Sequence, residues 1–167
     1  MKLETERLIL KPIDESHVED ILKIRGNIIT NQFVKRIPPK TNYDALDYIL
    51  TIKQRTENKE TVYFGITLKN QRNLIGTICL YRFSEDRKEA EVGYELLPDY
   101  HRTGIMSEAL SAVLNFGFNE LYLDEILAFT NKFNENSKGL LLKHQFILEE
   151  GRTDEGFPEN LVYSLKK

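Results

Sequence analysis

A chain of 167 residues is long enough to bury a sheet beneath helices without disulfide or metal support, and short enough to form a single domain over residues 1–167. Its 41% hydrophobic and 29% charged residues, with signs interspersed, describe an ordinary globular protein, and the net charge of −3 argues against a nucleic-acid partner. The lone Cys79 excludes an internal disulfide, the scattered His17, His101 and His144 offer no metal-ligand spacing, and no apolar run approaches the roughly 20 residues that span a bilayer. The opening Met1-Lys2-Leu3-Glu4-Thr5-Glu6 has no apolar signal core, so the expected compartment is the cytoplasm and no membrane partner is expected.

In chain order, the alternation from Leu3 to Ile13 predicts an opening strand that ends near Asp14. Asp14 or Ser16 then caps a helix whose stripe runs through Val18, Ile21, Leu22 and Arg25 to a stop at Gly26. After the loop with Pro38 and Pro39, Thr41-Asn42-Tyr43-Asp44 opens a second helix through Ala45, Tyr48, Ile49 and Ile52. The period then changes to that of strands: Thr61 to Leu68 and Leu74 to Phe83 form a hairpin, and Glu89 to Leu97 follows. Cys79 lies in the apolar second arm of that hairpin, as a buried thiol would.

Next comes Tyr100-His101-Arg102-Thr103-Gly104, a small-residue turn that runs into a helix. Met106, Ala109, Leu110, Val113 and Phe116 recur at intervals of three and four, so one apolar face points at the sheet as far as about Asn119. Unpaired amides and the positive dipole end make such an N-terminus an anion cradle, and Gly104 permits close approach. Neither a G-x-x-x-x-G-K-[ST] loop nor a G-x-G-x-x-G fingerprint is present. The strand Leu123 to Thr130, a helix capped at Asn134 or Asn136, and a terminal pair, Phe146 to Leu148 with Leu161 to Leu165, complete the chain. Phe116, Phe118, Tyr122, Phe129 and Phe133 serve either the core or a partner copy in a homo-oligomer.

This order, with the glycine turn after the fourth strand, resembles the GNAT superfamily of acyl-CoA N-acyltransferases. The family's pyrophosphate motif maps onto His101, Gly104 and Met106; Leu3 to Pro12 and the run Asn134-Glu135-Asn136-Ser137 to Phe146 look like its RimJ/RimL branch, named for ribosomal-protein N-terminal acetyltransferases. The resemblance implies a mixed α+β fold with a mostly antiparallel sheet of six to seven strands. Helices cover both faces, and the sheet is splayed between the fourth and fifth strands.

It also implies acetyl-CoA as co-substrate, no metal, and an amine acceptor that is either a protein N-terminus or a small amine such as a polyamine, amino acid or aminoglycoside. A non-catalytic acyl-CoA-binding module is the alternative outside enzymology. By the same resemblance the pantetheine arm pairs with backbone at Glu95, Leu96 and Leu97, the pyrophosphate sits on Arg102, Thr103, Gly104, Ile105, Met106 and Ser107, and Asn134 and Lys143 contact the cofactor unless they act as helix cap and surface charge.

An amine must lose a proton before it attacks a thioester. Glu91 is the implied base, with Glu95 on the same strand face as the other carboxylate. A backbone N–H near Leu97 would stabilise the oxyanion. Many relatives protonate the departing thiolate with a tyrosine where this chain has Leu141, so Ser137, or one of Tyr94, Tyr100 and Tyr122, must do so here. His101, Met106 and Gln145 are further departures from the family pattern. Cys79 lies on a different strand from the cradle, so direct transfer without an acetyl-enzyme is expected, through an acceptor mouth expected to be acidic.

Overall fold

The computed structural model describes residues 1–167. Two short strands open the chain, β1 (Leu3–Glu4) and β2 (Leu8–Lys11). The sequence reads as one strand here, and the break has a long-range cause: Glu108, in the first turn of a later helix, accepts hydrogen bonds from Thr5 Oγ1 and the Arg7 amide, pulling residues 5–7 out of line. Asp14 caps a 3₁₀ turn, Glu15–His17, so helix α1 (Val18–Gly26) begins later than a simple Asp14 cap predicts. Thr41 and Asp44 form the capping box of α2 (Asn42–Glu57).

Then follow β3 (Thr61–Leu68), β4 (Gly76–Tyr81), β5 (Glu89–Leu96), α3 (Ile105–Asn119), β6 (Glu125–Asn131), α4 (Glu135–Lys143), β7 (Ile147–Leu148) and β8 (Asn160–Lys166). The eight strands form one sheet in the order β1-β2-β3-β4-β5-β6-β8-β7. The strand count exceeds the expected six to seven because the opening strand is broken; the mixed, mostly antiparallel architecture is the expected one.

Strand alternation sends alternate side chains to two cores. Ile78 and Leu80 of β4 pack with Leu110 and Val113 of α3 on one face. On the other face, Ile21 and Ile24 of α1 and Ile49 of α2 cover Tyr63 and Leu74. Phe116 is buried in the first core, whereas Tyr122 and Phe133 are exposed. No helix is long and apolar enough to cross a membrane, and no cluster of three metal-ligating side chains exists.

One parallel pairing, β5 with β6, interrupts the antiparallel sheet, and α3 is its crossover. It lasts only from Glu89–Glu125 to Glu91–Leu127. Beyond Glu91, β5 stays with β4 as far as Leu96 while β6 follows β8 to Asn131, so the sheet opens between them.

Gly76 lets β4 and β5 meet closely beside this opening. A Cβ there would collide with the Glu95 carbonyl oxygen, a backbone atom that cannot swing aside. Gly76→Ala is therefore expected to lower stability by about 1–3 kcal/mol, read as a reduced denaturant midpoint at unchanged slope.

Candidate active site

The Leu97 amide donates to the Ile75 carbonyl at 2.9 Å. With the β4–β5 register, this puts the backbone groups of Glu95 and Leu97 into the ladder with β4, while those of Tyr94 and Leu96 face the opening. Two expectations are corrected by this alternation: of Glu95, Leu96 and Leu97, only Leu96 turns its backbone toward the opening, and the Leu97 N–H is already bonded to Ile75. Tyr94, which sequence reasoning passed over as an edge residue, supplies the other free backbone. His101 Nε2 lies 2.9 Å from the Leu96 carbonyl, giving the unusual histidine a local role at the strand end.

Past β5 the chain turns through Pro98–Tyr100 into the cradle. Arg102 has φ of 59° and Gly104 of 79°, both left-handed, which turns successive amides toward one side. The first α3 bond runs from the Glu108 amide to the Gly104 carbonyl at 3.0 Å. The amides of Arg102, Thr103, Gly104, Ile105, Met106 and Ser107 have no protein acceptor. Met106 tucks into the core, so its bulk leaves the cradle clear. Ser107 Oγ meets His144 Nε2 at 2.8 Å, tying α3 to the end of α4; burial, then Lys143, depress the His144 pKa. Arg102 and Lys143 are exposed at the rim.

Arg7 braces this turn from behind. Its Nη1 donates to the Thr103 carbonyl at 3.0 Å, its Nε to Glu108 Oε2 at 2.6 Å, and its Nη2 lies 3.4 Å from where a Gly104 side chain would begin. Partial burial pushes the Glu108 carboxyl up, but the bonds from Thr5 and Arg7 outweigh it and hold the pKa low. No local signal marks Arg7, because its partners lie about a hundred positions away.

On the α1–α2 face the opening continues into a cleft of about 1020 Å³. Glu91, Gly93 and Glu95 line it from β5. Glu91 is only 7% exposed, and its carboxylate lies 3.2 and 3.4 Å from Arg82 Nη1. Burial raises its pKa, and the Arg82 pairing offsets only part of that rise. Glu95 is differently placed: Arg25 Nη1 reaches Oε1 at 2.8 Å, while Arg36 grips both oxygens at 2.7 and 2.5 Å. Asn31 bridges Arg36 Nε and the Arg25 carbonyl, so Glu95 anchors the loop 27–41. The cleft wall carries seven cationic side chains against five carboxylates, so the expected acidic mouth is corrected.

Ser137 Oγ and Tyr94 Oη meet at 2.7 Å across the opening. Burial pushes the Tyr94 hydroxyl up to about 12, so it keeps its proton at neutral pH. Asn134 accepts the Ser137 amide at 3.1 Å as the α4 cap and also lines the cleft, so its two expected roles are compatible. Tyr100 turns to Gln71 and Tyr122 is largely exposed; neither joins the pair. Leu141 is wholly buried in the core. Cys79 lines the cleft from β4, but burial pushes its thiol up to about 12.

Residues 7–147 match the family model of the acetyltransferase (GNAT) domain. The chain is 32% identical to the uncharacterized N-acetyltransferase YoaA of Bacillus subtilis strain 168, over 99% of this chain and 96% of that protein. Its fold is similar to that of the ribosomal-protein-S5-alanine acetyltransferase of Vibrio fischeri, with a TM-score of 0.78 at 21% identity over 99% of this chain and 96% of the other. It is likewise similar to Mycobacterium smegmatis RimJ in complex with CoA-disulfide, with a TM-score of 0.80 at 16% identity over 95% and 81%. The chain belongs to the GNAT acetyltransferase family. It is an N-acetyltransferase of that family.

Removal of the Arg7 brace should loosen the cradle without unfolding the chain. Titration calorimetry with coenzyme A is expected to give a Kd roughly three- to fivefold weaker for Arg7→Ala, the scale of a half-exposed charged contact; an unchanged Kd would remove Arg7 from the cradle.

Proposed function

We propose that this acetyltransferase moves an acetyl group from acetyl-CoA to the α-amino group at a protein N-terminus, by direct attack within a ternary complex. The observation that carries the reading is the buried Glu91 carboxylate on the cleft at the point where β5 and β6 part, with a run of six unpaired amides following the carboxyl end of the same strand. Coenzyme A fits these groups: the amides from Arg102 to Ser107 suit its pyrophosphate, with Arg102 and Lys143 at the rim, and the free edge at Tyr94 and Leu96 suits its amide-bearing arm. Once bound, acetyl-CoA supplies an electrophilic thioester carbonyl.

The chain does the rest with three groups. Glu91 takes the proton from the incoming ammonium, directly or through one water; its desolvated carboxylate binds a proton more strongly than an exposed one. Glu95 is held by two guanidinium groups and serves as anchor rather than base. Tyr94 and Ser137 form a hydroxyl pair beside the opening, able to pass a proton to the departing sulfur in place of the tyrosine absent at Leu141. A protein acceptor is supported by the wide cleft, and by the name of the Vibrio fischeri relative, which acts on a ribosomal protein.

Incubation with acetyl-CoA and a panel of peptides should release free thiol and acetylate the peptide α-amine, seen by mass. Tight cofactor binding with no transfer to any peptide would sink the reading.

Because the Glu91 pKa is raised, the carboxyl is protonated and idle on the acid side, and kcat/KM should climb with pH through a limb above the ordinary carboxylate range. Glu91→Gln is expected to lower kcat/KM by about 10²-fold or more and to flatten that limb. Direct transfer further requires that Cys79→Ala retain turnover in the same assay; loss of turnover in a folded, cofactor-binding variant would point instead to an acetyl-enzyme.

A further inference from the structure

We infer that the acceptor presents a carboxylate, from an aspartate or glutamate at the second to fourth position after its reactive amine, and that Arg25 and Arg36 form the subsite that receives it; this rests on the reading of the chain as an N-terminal acetyltransferase. The starting point is an imbalance of charge. Arg25 at the end of α1 and Arg36 in the loop 27–41 both line the cleft, with side chains about 15% and 14% exposed. Both are paired to Glu95 alone. Two guanidinium groups on one carboxylate leave one positive charge largely withdrawn from water, an arrangement that an incoming anion stabilises.

Arg25 has the spare capacity. Arg36 directs Nη1 and Nη2 to Glu95 and Nε to Asn31. Arg25 uses only Nη1, so Nε and Nη2 have no protein acceptor. Its guanidinium carbon sits 3.7 Å from the Tyr48 ring centroid, and the Tyr48 hydroxyl is turned to Tyr63. Stacking holds the plane of the group, and two spare in-plane donors match the two oxygens of a carboxylate.

Spacing selects the kind of acceptor. Glu91 and Glu95 are four residues apart, about 13 Å along an extended strand. In a free amino acid the amine and carboxylate share one carbon, too short a span to reach Glu91 and Arg25 together. A peptide gains roughly 3.3–3.6 Å per residue, so a carboxylate two to four positions in can cover the gap after allowance for the length of the arginine. Gly93, between the two glutamates, adds no side chain of its own, and the Tyr81 ring and the Cys79 sulfur flank that point, so the peptide passes over them. The surplus of cations on the cleft wall, in a chain of net charge −3, opposes polyamines and aminoglycosides for the same electrostatic reason.

Peptides of one length that begin with alanine and carry Asp, Ala or Lys at positions two to four provide the test. The wild-type kcat/KM should be roughly tenfold or more higher for the Asp peptides than for the Ala peptides, and lowest for Lys. Arg25→Gln should bring the Asp and Ala values together, and Arg25→Lys should keep part of the preference. Equal wild-type rates across the panel, a preference that survives in folded Arg25→Gln, or free aspartate used ahead of every peptide would each overturn the subsite. The first and second of these leave N-terminal acetylation standing.

If no peptide turns over, it is the N-terminal reading that fails, and calorimetry on the CoA-saturated protein decides the subsite. Tighter binding of the Asp peptide that is lost in Arg25→Gln supports it; equal binding of the panel, or none, overturns it. Should Arg25→Gln fail to fold, the wild-type comparison and Arg25→Lys still separate the two outcomes.

Discussion

The parting of β5 from β6 after three paired residues is the constraint on which the rest of this molecule depends. A strand inside a sheet normally has both edges paired, because unpaired backbone groups withdrawn from water are costly. Here β5 keeps β4 along its length and gives up β6 beyond Glu91, leaving the Tyr94 backbone and the Leu96 amide facing the opening, while the Leu96 carbonyl meets His101 Nε2. Since β5 and β6 are parallel, the chain must cross over between them, and α3 makes that crossing. The start of α3 therefore falls at the carboxyl end of β5, so the amide cradle and the free strand edge are consequences of one topological event.

The same strand carries two glutamates whose surroundings separate their roles. Glu91 is deeply buried with one partly exposed arginine nearby, so desolvation dominates and its proton affinity rises. Glu95 is enclosed between two partly buried guanidinium groups that tie it to α1 and the following loop. Burial alone does not set the state of a carboxylate; the number and placement of nearby cations do so with it. The hydroxyl pair of Tyr94 and Ser137 follows the same logic, since two side chains that share no local sequence signal meet because α4 packs beside the opening.

Much of this was legible in the chain. Periodicity located every helix and nearly every strand, since apolar spacing reports directly which face each element buries. The turn at Gly104 could be read from residue type and the last helix's cap narrowed to Asn134 or Asn136, because a left-handed bend and a helix N-terminus each demand particular side chains; the structure picks Asn134. Among the carboxylates of the fourth strand, Glu91 stood out through the family resemblance, and alternation then put Glu95 on the same face as the second candidate.

Ladder direction was not legible. Which backbone groups face the opening depends on the register with β4, and this removed Glu95 and Leu97 from the expected edge, kept Leu96 and added Tyr94. Nor was the charge of the cleft, because Arg25, Arg36 and Arg82 come from three separate segments and meet only when the sheet and helices pack. The broken opening strand, caused by Arg7 and Thr5 reaching Glu108, belongs to the same class. The elements, the family and the glycine turn before α3 were readable from the chain, because they rest on local patterns within one turn or strand. Packing settled which carboxylate two guanidinium groups clamp, which backbone faces the opening and what charge the cleft wall carries, because electrostatics and hydrogen bonding depend on neighbours far apart along the chain.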